Sequence, residues 1–168
     1  MFKHCPECKH STISFVNNHY LSCGECGFLY YHNAAAAVAA IIQYKDEILL
    51  TVRAKEPGLG QLDLPGGFVD HNESLEQALA REISEELSLD IPPKVFKYFT
   101  SEPNTYHYQN IKYNTIDSIF TLLLDHKPSI VCEPSEIVKV VWVKQCDIDY
   151  NQLAFTSAQK ALLKYTRH

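Results

Sequence analysis

The chain has 168 residues, a formal net charge of −5, 46% hydrophobic and 21% charged residues. That length supports one domain with a sizeable core plus a small attachment, and the acidic balance gives no global basic field to draw the chain onto nucleic acid or membranes. The longest clear apolar run, Ala34 to Ile42, spans nine residues, far short of a membrane helix.

In chain order, the first signal is Cys5-Pro-Glu-Cys8 and Cys23-Gly-Glu-Cys26, two pairs separated by 14 residues. Each pair reads as a tight knuckle, helped by Pro6, Gly24 and Gly27. Four thiolates from two such knuckles complete a closed tetrahedral zinc site. The competing reading is a pair of disulfides. The opening Met1-Phe2-Lys3-His4 carries no signal-peptide pattern, so a reducing cytoplasm and zinc are expected instead. His4, His10 and His19 lie nearby, but four cysteines saturate the ion and leave them as surface residues. Cys132 and Cys146 have no partner at ligand spacing and are expected as small buried hydrophobes. The expected division is a ribbon over 1–32 and a second domain over 33–168.

Strands are expected at 38–44 and 48–53 around the turn Lys45-Asp46-Glu47. Residues 34–40 are ambiguous, since alanine favours a helix while the adjoining Ile41-Ile42 and turn suit a buried strand. Leu64-Pro65-Gly66-Gly67 places two glycines where a strand leaves the core, which permits a sharp turn and a close approach to a ligand. A helix follows. Ser74 with Gln77 makes a capping box, and Leu75, Ala78, Leu79, Ile83 and Leu87 form its apolar stripe. Glu82, Glu85 and Glu86 stand at i, i+3 and i+4 on that helix and so point together. Such crowding costs roughly 0.2–0.5 kcal/mol per pair, although charge runs are usually a solvated face. A hard divalent cation with oxygen ligands, above all Mg²⁺, is the natural occupant. Further strands are expected at 96–101, 116–124 and 138–143, and a closing helix at 157–165.

Gly67, five residues, Glu73, seven residues, then Arg81-Glu82-Ile83-Ser84-Glu85-Glu86-Leu87-Ser88-Leu89 resembles the Nudix box, G-x5-E-x7-R-E-U-x-E-E-x-G-U with U a bulky aliphatic. Ser88 is the one departure, standing where the pattern has glycine at the helix end and φ > 0 is often wanted. The cysteine knuckles, Tyr30-Tyr31-His32, the strand ending in Arg53 and Leu64-Pro65-Gly66-Gly67-Phe68-Val69 resemble, in order, the zinc-ribbon-bearing NADH pyrophosphatase branch of Nudix hydrolases. After the box that branch has S-Q-P-W-P-F-P-x-S, whereas this chain reads Ser101-Glu102-Pro103-Asn104-Thr105-Tyr106-His107-Tyr108-Gln109. NADH specificity therefore does not carry over with the box.

The resemblance implies an α/β/α sandwich with a mixed sheet preceded by a small N-terminal zinc ribbon. It also implies metal-dependent cleavage of the pyrophosphate in a nucleoside diphosphate linked to another moiety, of NADH, NAD or ADP-ribose type. In that mechanism Glu82, Glu85, Glu86 and the Gly66 carbonyl hold Mg²⁺ or Mn²⁺, with a further ligand from Glu136, six residues before Trp142. Arg81 is implied as an orienter of carboxylates, Glu73 as an outer group, and Glu85 or Glu86 as the general base. Candidates for holding the group attached to the phosphates are Arg53, Phe68, Ser101, Glu102, Tyr106 and Tyr113, the last four within a stretch that also carries Tyr98, Phe99 and Tyr108. Expected partners are a small nucleotide, a second copy of the chain in a homodimer, and no nucleic acid other than capped RNA. The rival functions are removal of an NAD cap from RNA and a nucleotide-sensing regulator.

Overall fold

A computed structural model describes residues 2–17, 19–108 and 111–167, with only the backbone of Tyr108. Gln109 of the post-box segment, and the side chain of Tyr108, lie outside the described residues. The chain divides into two compact units, one up to Ala34 and one from Ala35 onward.

The first unit is an antiparallel three-stranded sheet of β1 (Ile13–Val16), β2 (Tyr20–Cys23) and β3 (Leu29–Tyr31), in that order. Its two knuckles repeat one backbone device. The residue after each second cysteine is left-handed, Lys9 at φ 63° and Gly27 at φ 74°. Each donates its N–H back to the first cysteine's carbonyl, Lys9 to Cys5 at 2.9 Å and Gly27 to Cys23 at 3.1 Å. Gly24, expected to help the turn, is not in the left-handed region. Lys9 is the true counterpart of Gly27, at the small cost of a non-glycine residue there.

The second unit is built on a mixed sheet ordered β10-β5-β4-β9-β8. Its strands are β4 (Ala35–Tyr44), β5 (Glu47–Arg53), β8 (Lys97–Tyr108), β9 (Ile111–Leu123) and β10 (Ile137–Lys144). The short strands β6 (Leu62–Asp63) and β7 (Gly66–Phe68) pair with β5 and β4. Only β4 and β9 run parallel; the other pairs are antiparallel. Alternation along the strands builds two cores. Val38, Ala40 and Ile42 of β4, Leu49 of β5 and Phe120 and Leu122 of β9 bury against Leu79, Ile83 and Leu87 of helix α1 (Leu75–Leu87). Ile41, Ile48, Leu50 and Ile119 bury on the opposite face against Ala158, Ala161 and Leu162 of helix α2 (Thr156–Thr166). The result is an α/β/α sandwich.

The ambiguous alanine run is strand. Ser74 and Gln77 make the reciprocal capping box, and Ser88 caps α1 in the left-handed conformation at φ 54°, a cost of roughly 1–2 kcal/mol without glycine. The strand expected at 96–101 continues to Tyr108, because β8 is a sheet edge where Pro103 forfeits no ladder bond that matters. Its partner β9 likewise begins at Ile111 rather than 116. Cys132 packs partly buried beside the α1 core, but Cys146 is exposed; its short helical turn after β10 faces outward, so burial was the wrong expectation for it. No helix among the described residues is long and apolar enough to cross a membrane.

Candidate active site and cysteine cluster

In the first unit the sulfurs of Cys5, Cys8, Cys23 and Cys26 all lie within 4.8 Å of one another. Cys5 and Cys26 are 3.7 Å apart, Cys8 and Cys23 3.6 Å. A disulfide would bring two sulfurs to about 2.05 Å. Four thiolates at about 2.3 Å from one ion in a tetrahedron stand about 3.8 Å apart, so the spacing fits a four-sulfur metal site. The backbone N–H groups of Cys26 and Glu25 aim at Cys23 and hold its thiol down to about 6, while Cys8 and Cys26, against their own backbone hydrogen bonds, are raised by burial and the neighbouring sulfurs. His4, His10 and His19 are exposed.

In the second unit a cavity of about 660 Å³ opens between α1, β7, β4 and the start of α2. Its α1 wall carries Glu82, Glu85 and Glu86, and Glu136 lines it from just before β10. Glu86 is buried and accepts the Gly66 N–H at 3.0 Å. Burial pushes its carboxyl up to about 8 against that hydrogen bond, and the nearby charges of Glu82, Asp63 and Glu136 add to the rise. Burial also raises Glu82, with Arg81 opposing. A pocket of carboxylates that repel one another, from buried Glu86 to exposed Glu85, is a donor set suited to a hard divalent cation.

Two glycines make room for this. Gly66 lies at φ +146°, and an added Cβ would stand 2.1 Å from the Val38 carbonyl oxygen. At Gly67 a Cβ would come within 2.4 Å of the Glu82 carboxylate. Arg81 holds the carboxylates in place. Its Nε and Nη2 grip both oxygens of Glu73 at 3.2 and 2.7 Å, Nη1 reaches Glu82 at 2.9 Å and Glu85 at 3.1 Å, and Nη2 also donates to the Phe68 carbonyl at 3.0 Å. That uses all five guanidinium N–H groups, leaving none for a substrate. Glu73, drawn below its ordinary range chiefly by Arg81, also accepts the Asp70 N–H at 2.7 Å.

Arg53, Phe68 and Tyr106 line the cavity; Ser101, Glu102 and Tyr113 are not among its lining residues. The continued strand explains the difference. Ser101 is exposed on one face, and Glu102 on the other is buried and bound by Lys164 of α2. Tyr113 faces Tyr106 across the ladder, outside the lining. Arg53 donates from Nη1 to Asp63 at 2.8 Å and from Nε to the Pro57 carbonyl at 2.7 Å, with its face 4.9 Å from the Phe155 ring. Asp63 is buried, which raises it to about 6 despite Arg53. Lys55 forms an ion pair with Glu136 at 2.6 Å. Lys55, Asp63, Asn104, Asp117, Phe155 and Ser157 also line the cavity, and no motif in the sequence marks them. Reading 101–108 as strand would have exposed the alternation that puts 104 and 106 on one face.

A family model described as the NUDIX domain matches residues 32–165. The chain belongs to the Nudix family. It is 28% identical over 148 residues to the NAD-capped RNA hydrolase NudC of Escherichia coli, covering 87% of this chain and 53% of that protein. The chain thus spans about half the length of the curated relatives it matches. A Nudix hydrolase from Nitrosomonas europaea superimposes with TM-score 0.61 at 25% identity, over 99% of this chain and 91% of that one. The Nudix domain of Shewanella oneidensis NrtR, solved with ADP ribose, gives TM-score 0.65 at 24% identity, over 82% and 90%. A MutT Nudix hydrolase from Burkholderia pseudomallei gives 0.66 at 23%, over 78% and 97%. The last two likenesses show the fold alone.

Proposed function

We propose that this protein is a cytoplasmic pyrophosphohydrolase that cleaves the diphosphate of a nucleoside diphosphate linked to a second moiety, of NADH, NAD or ADP-ribose type. The observation that carries this is the crowded glutamate wall of a Nudix-family cavity, with buried Glu86 held by Gly66 and Arg81 fully spent on positioning. Glu82, Glu85, Glu86 and Glu136 with the Gly66 carbonyl would hold Mg²⁺ or Mn²⁺, which neutralises the diphosphate and acidifies a water. Lys55 and Arg53 are the cations lining the cavity and serve the phosphates. Phe68, Tyr106 and Phe155 give it apolar faces for the attached group. Cys5, Cys8, Cys23 and Cys26 would hold a structural Zn²⁺ in a ribbon over 1–32, with catalysis assigned to 33–168.

The 28% identity to NAD-capped RNA hydrolases favours one second reading, in which the NAD end of a capped RNA enters the same cavity. The test is Glu86→Gln, which keeps the shape and the Gly66 hydrogen bond but loses the charge that both metal binding and proton uptake require. Assayed with Mg²⁺ on NADH, NAD⁺, ADP-ribose and NAD-capped RNA, it should lose at least about a hundredfold in kcat. Near-normal turnover across that panel contradicts the assignment.

A further inference from the structure

We infer that the cavity wall made by β8, β9 and α2 reads an amino-bearing base edge, with Asn104 and Asp117 as the discriminating pair. This deepens the diphosphate reading and rests on it. Three elements meet at Asp117 of β9: Asn104 Nδ2 of β8 and Ser157 Oγ of α2 donate to Oδ2 at 3.0 and 2.5 Å, and Thr115 Oγ1 donates to Oδ1 at 2.6 Å. By itself such a hub is a structural brace. Yet Asn104, Asp117, Thr115 and Ser157 all line the cavity, and the brace has a chemical consequence.

A carboxylate only accepts hydrogen bonds, so Asn104 must turn its amide nitrogen toward Asp117. The amide cannot flip without breaking that bond. Its carbonyl oxygen makes no hydrogen bond among the described residues, and its second N–H is likewise uncommitted. A carbonyl beside an N–H, fixed in that sense, matches an amino group beside a bare ring nitrogen, the pairing asparagine makes with adenine. Hypoxanthine offers on its N1 edge a carbonyl beside a ring N–H, the reverse pattern, which a flipped amide would match and Asp117 forbids, and on its N7 edge two acceptors, which the amide matches in neither sense.

The surroundings suit a flat base. Tyr106 and Phe155 rings lie 5.7 Å apart at 30°, and Ala37 and Ala39 of β4 leave space on the sheet.

The experiment compares kcat/KM, with Mg²⁺, for ADP-ribose and its hypoxanthine counterpart, inosine diphosphate ribose. The wild-type protein should favour ADP-ribose by about tenfold or more, since the wrong edge leaves buried polar groups unpaired. Asn104→Ala should bring the ratio close to one, and Asp117→Asn, which frees the amide to flip, should narrow it. A melting temperature checks folding; if Asp117→Asn fails to fold, Asn104→Ala carries the test. Equal wild-type rates, or discrimination that survives Asn104→Ala, overturn the inference while leaving the diphosphate reading intact. If neither compound is hydrolysed, the same comparison is made with NADH, NAD⁺ and their hypoxanthine counterparts, and hydrolysis of none of them overturns that reading, and this inference with it.

Discussion

The two units are held together by opposite means. Among the described residues of the first unit, the buried apolar side chains are Leu21 and two cysteines, Cys5 and Cys23. The second unit buries two clusters on the two faces of one sheet, centred on residues such as Phe120, Leu79 and Ile83, and Ile41, Leu50 and Leu162. A segment of about 30 residues with so little core needs a staple, whereas the sandwich owns its stability. The metal sites proposed above differ in the same way. Four thiolates enclosing one point make a closed site that stabilises structure, and carboxylates lining an open cavity make a site that leaves room for substrate.

The sharpest way to break this comparison is to remove a thiolate. A four-sulfur zinc site contributes about 10–16 kcal/mol in isolated finger peptides at neutral pH, so Cys5→Ser should release zinc and unravel the first unit. Hydrogen exchange should show loss of protection up to Ala34, with β4, β5 and β9 unchanged. Parallel loss of protection in the sheet would mean that the units do not fold by separate means.

The converse change is Leu79→Ala, which opens a hole in the α1 core. It should cost about 2–5 kcal/mol in chemical denaturation of the sandwich and leave zinc content at one ion per chain. Zinc loss in this variant would couple what the comparison separates.

Glu136→Gln sharpens the open-site half. With one ligand weakened and the others intact, the Mg²⁺ concentration for half-maximal rate should rise by roughly tenfold, as for loss of one supporting interaction at a metal. An unchanged metal dependence would return Glu136 to its ion pair with Lys55 alone.

The smallest effect is a proton. Glu86 has its carboxyl raised to about 8 from 4.5 by burial, so the folded protein without divalent ions keeps a proton that the unfolded chain releases. The stability this provides is fully present below about 4.5 and is lost as pH rises through about 8. The melting temperature without added divalent ions should fall from about pH 6 to about pH 9, and fall less in Glu86→Gln, which does not titrate. Mg²⁺ should displace that proton, so calorimetric titration at neutral pH should register proton release.

Much of this architecture is legible in the sequence for physical reasons. Capping box and apolar stripe are local, so α1 and its glutamates follow from spacing alone, as do the cysteine knuckles. The left-handed cap at Ser88 was visible as the one position where the Nudix pattern wants glycine. What escapes is set by pairing between distant segments. Asn104, Asp117 and Ser157 come together only because β8 pairs with β9 and α2 packs across them. Lys9, acting as a glycine would, is set by the knuckle's hydrogen bonds and not by its own preference. Ser101 and Glu102 were sought in a motif, whereas strand alternation sends one outward and the other to Lys164.

Whether the glutamate wall hydrolyses a linked nucleoside diphosphate with divalent metal is decided by incubating the wild-type protein with ADP-ribose and NADH while titrating Mg²⁺, with products resolved by mass spectrometry in ¹⁸O-labelled water. The expected products are AMP with ribose 5-phosphate or reduced nicotinamide mononucleotide, with one ¹⁸O on a product phosphate and no turnover without divalent metal. Intact substrates at every Mg²⁺ concentration, or cleavage that ignores the metal, would contradict metal-dependent hydrolysis.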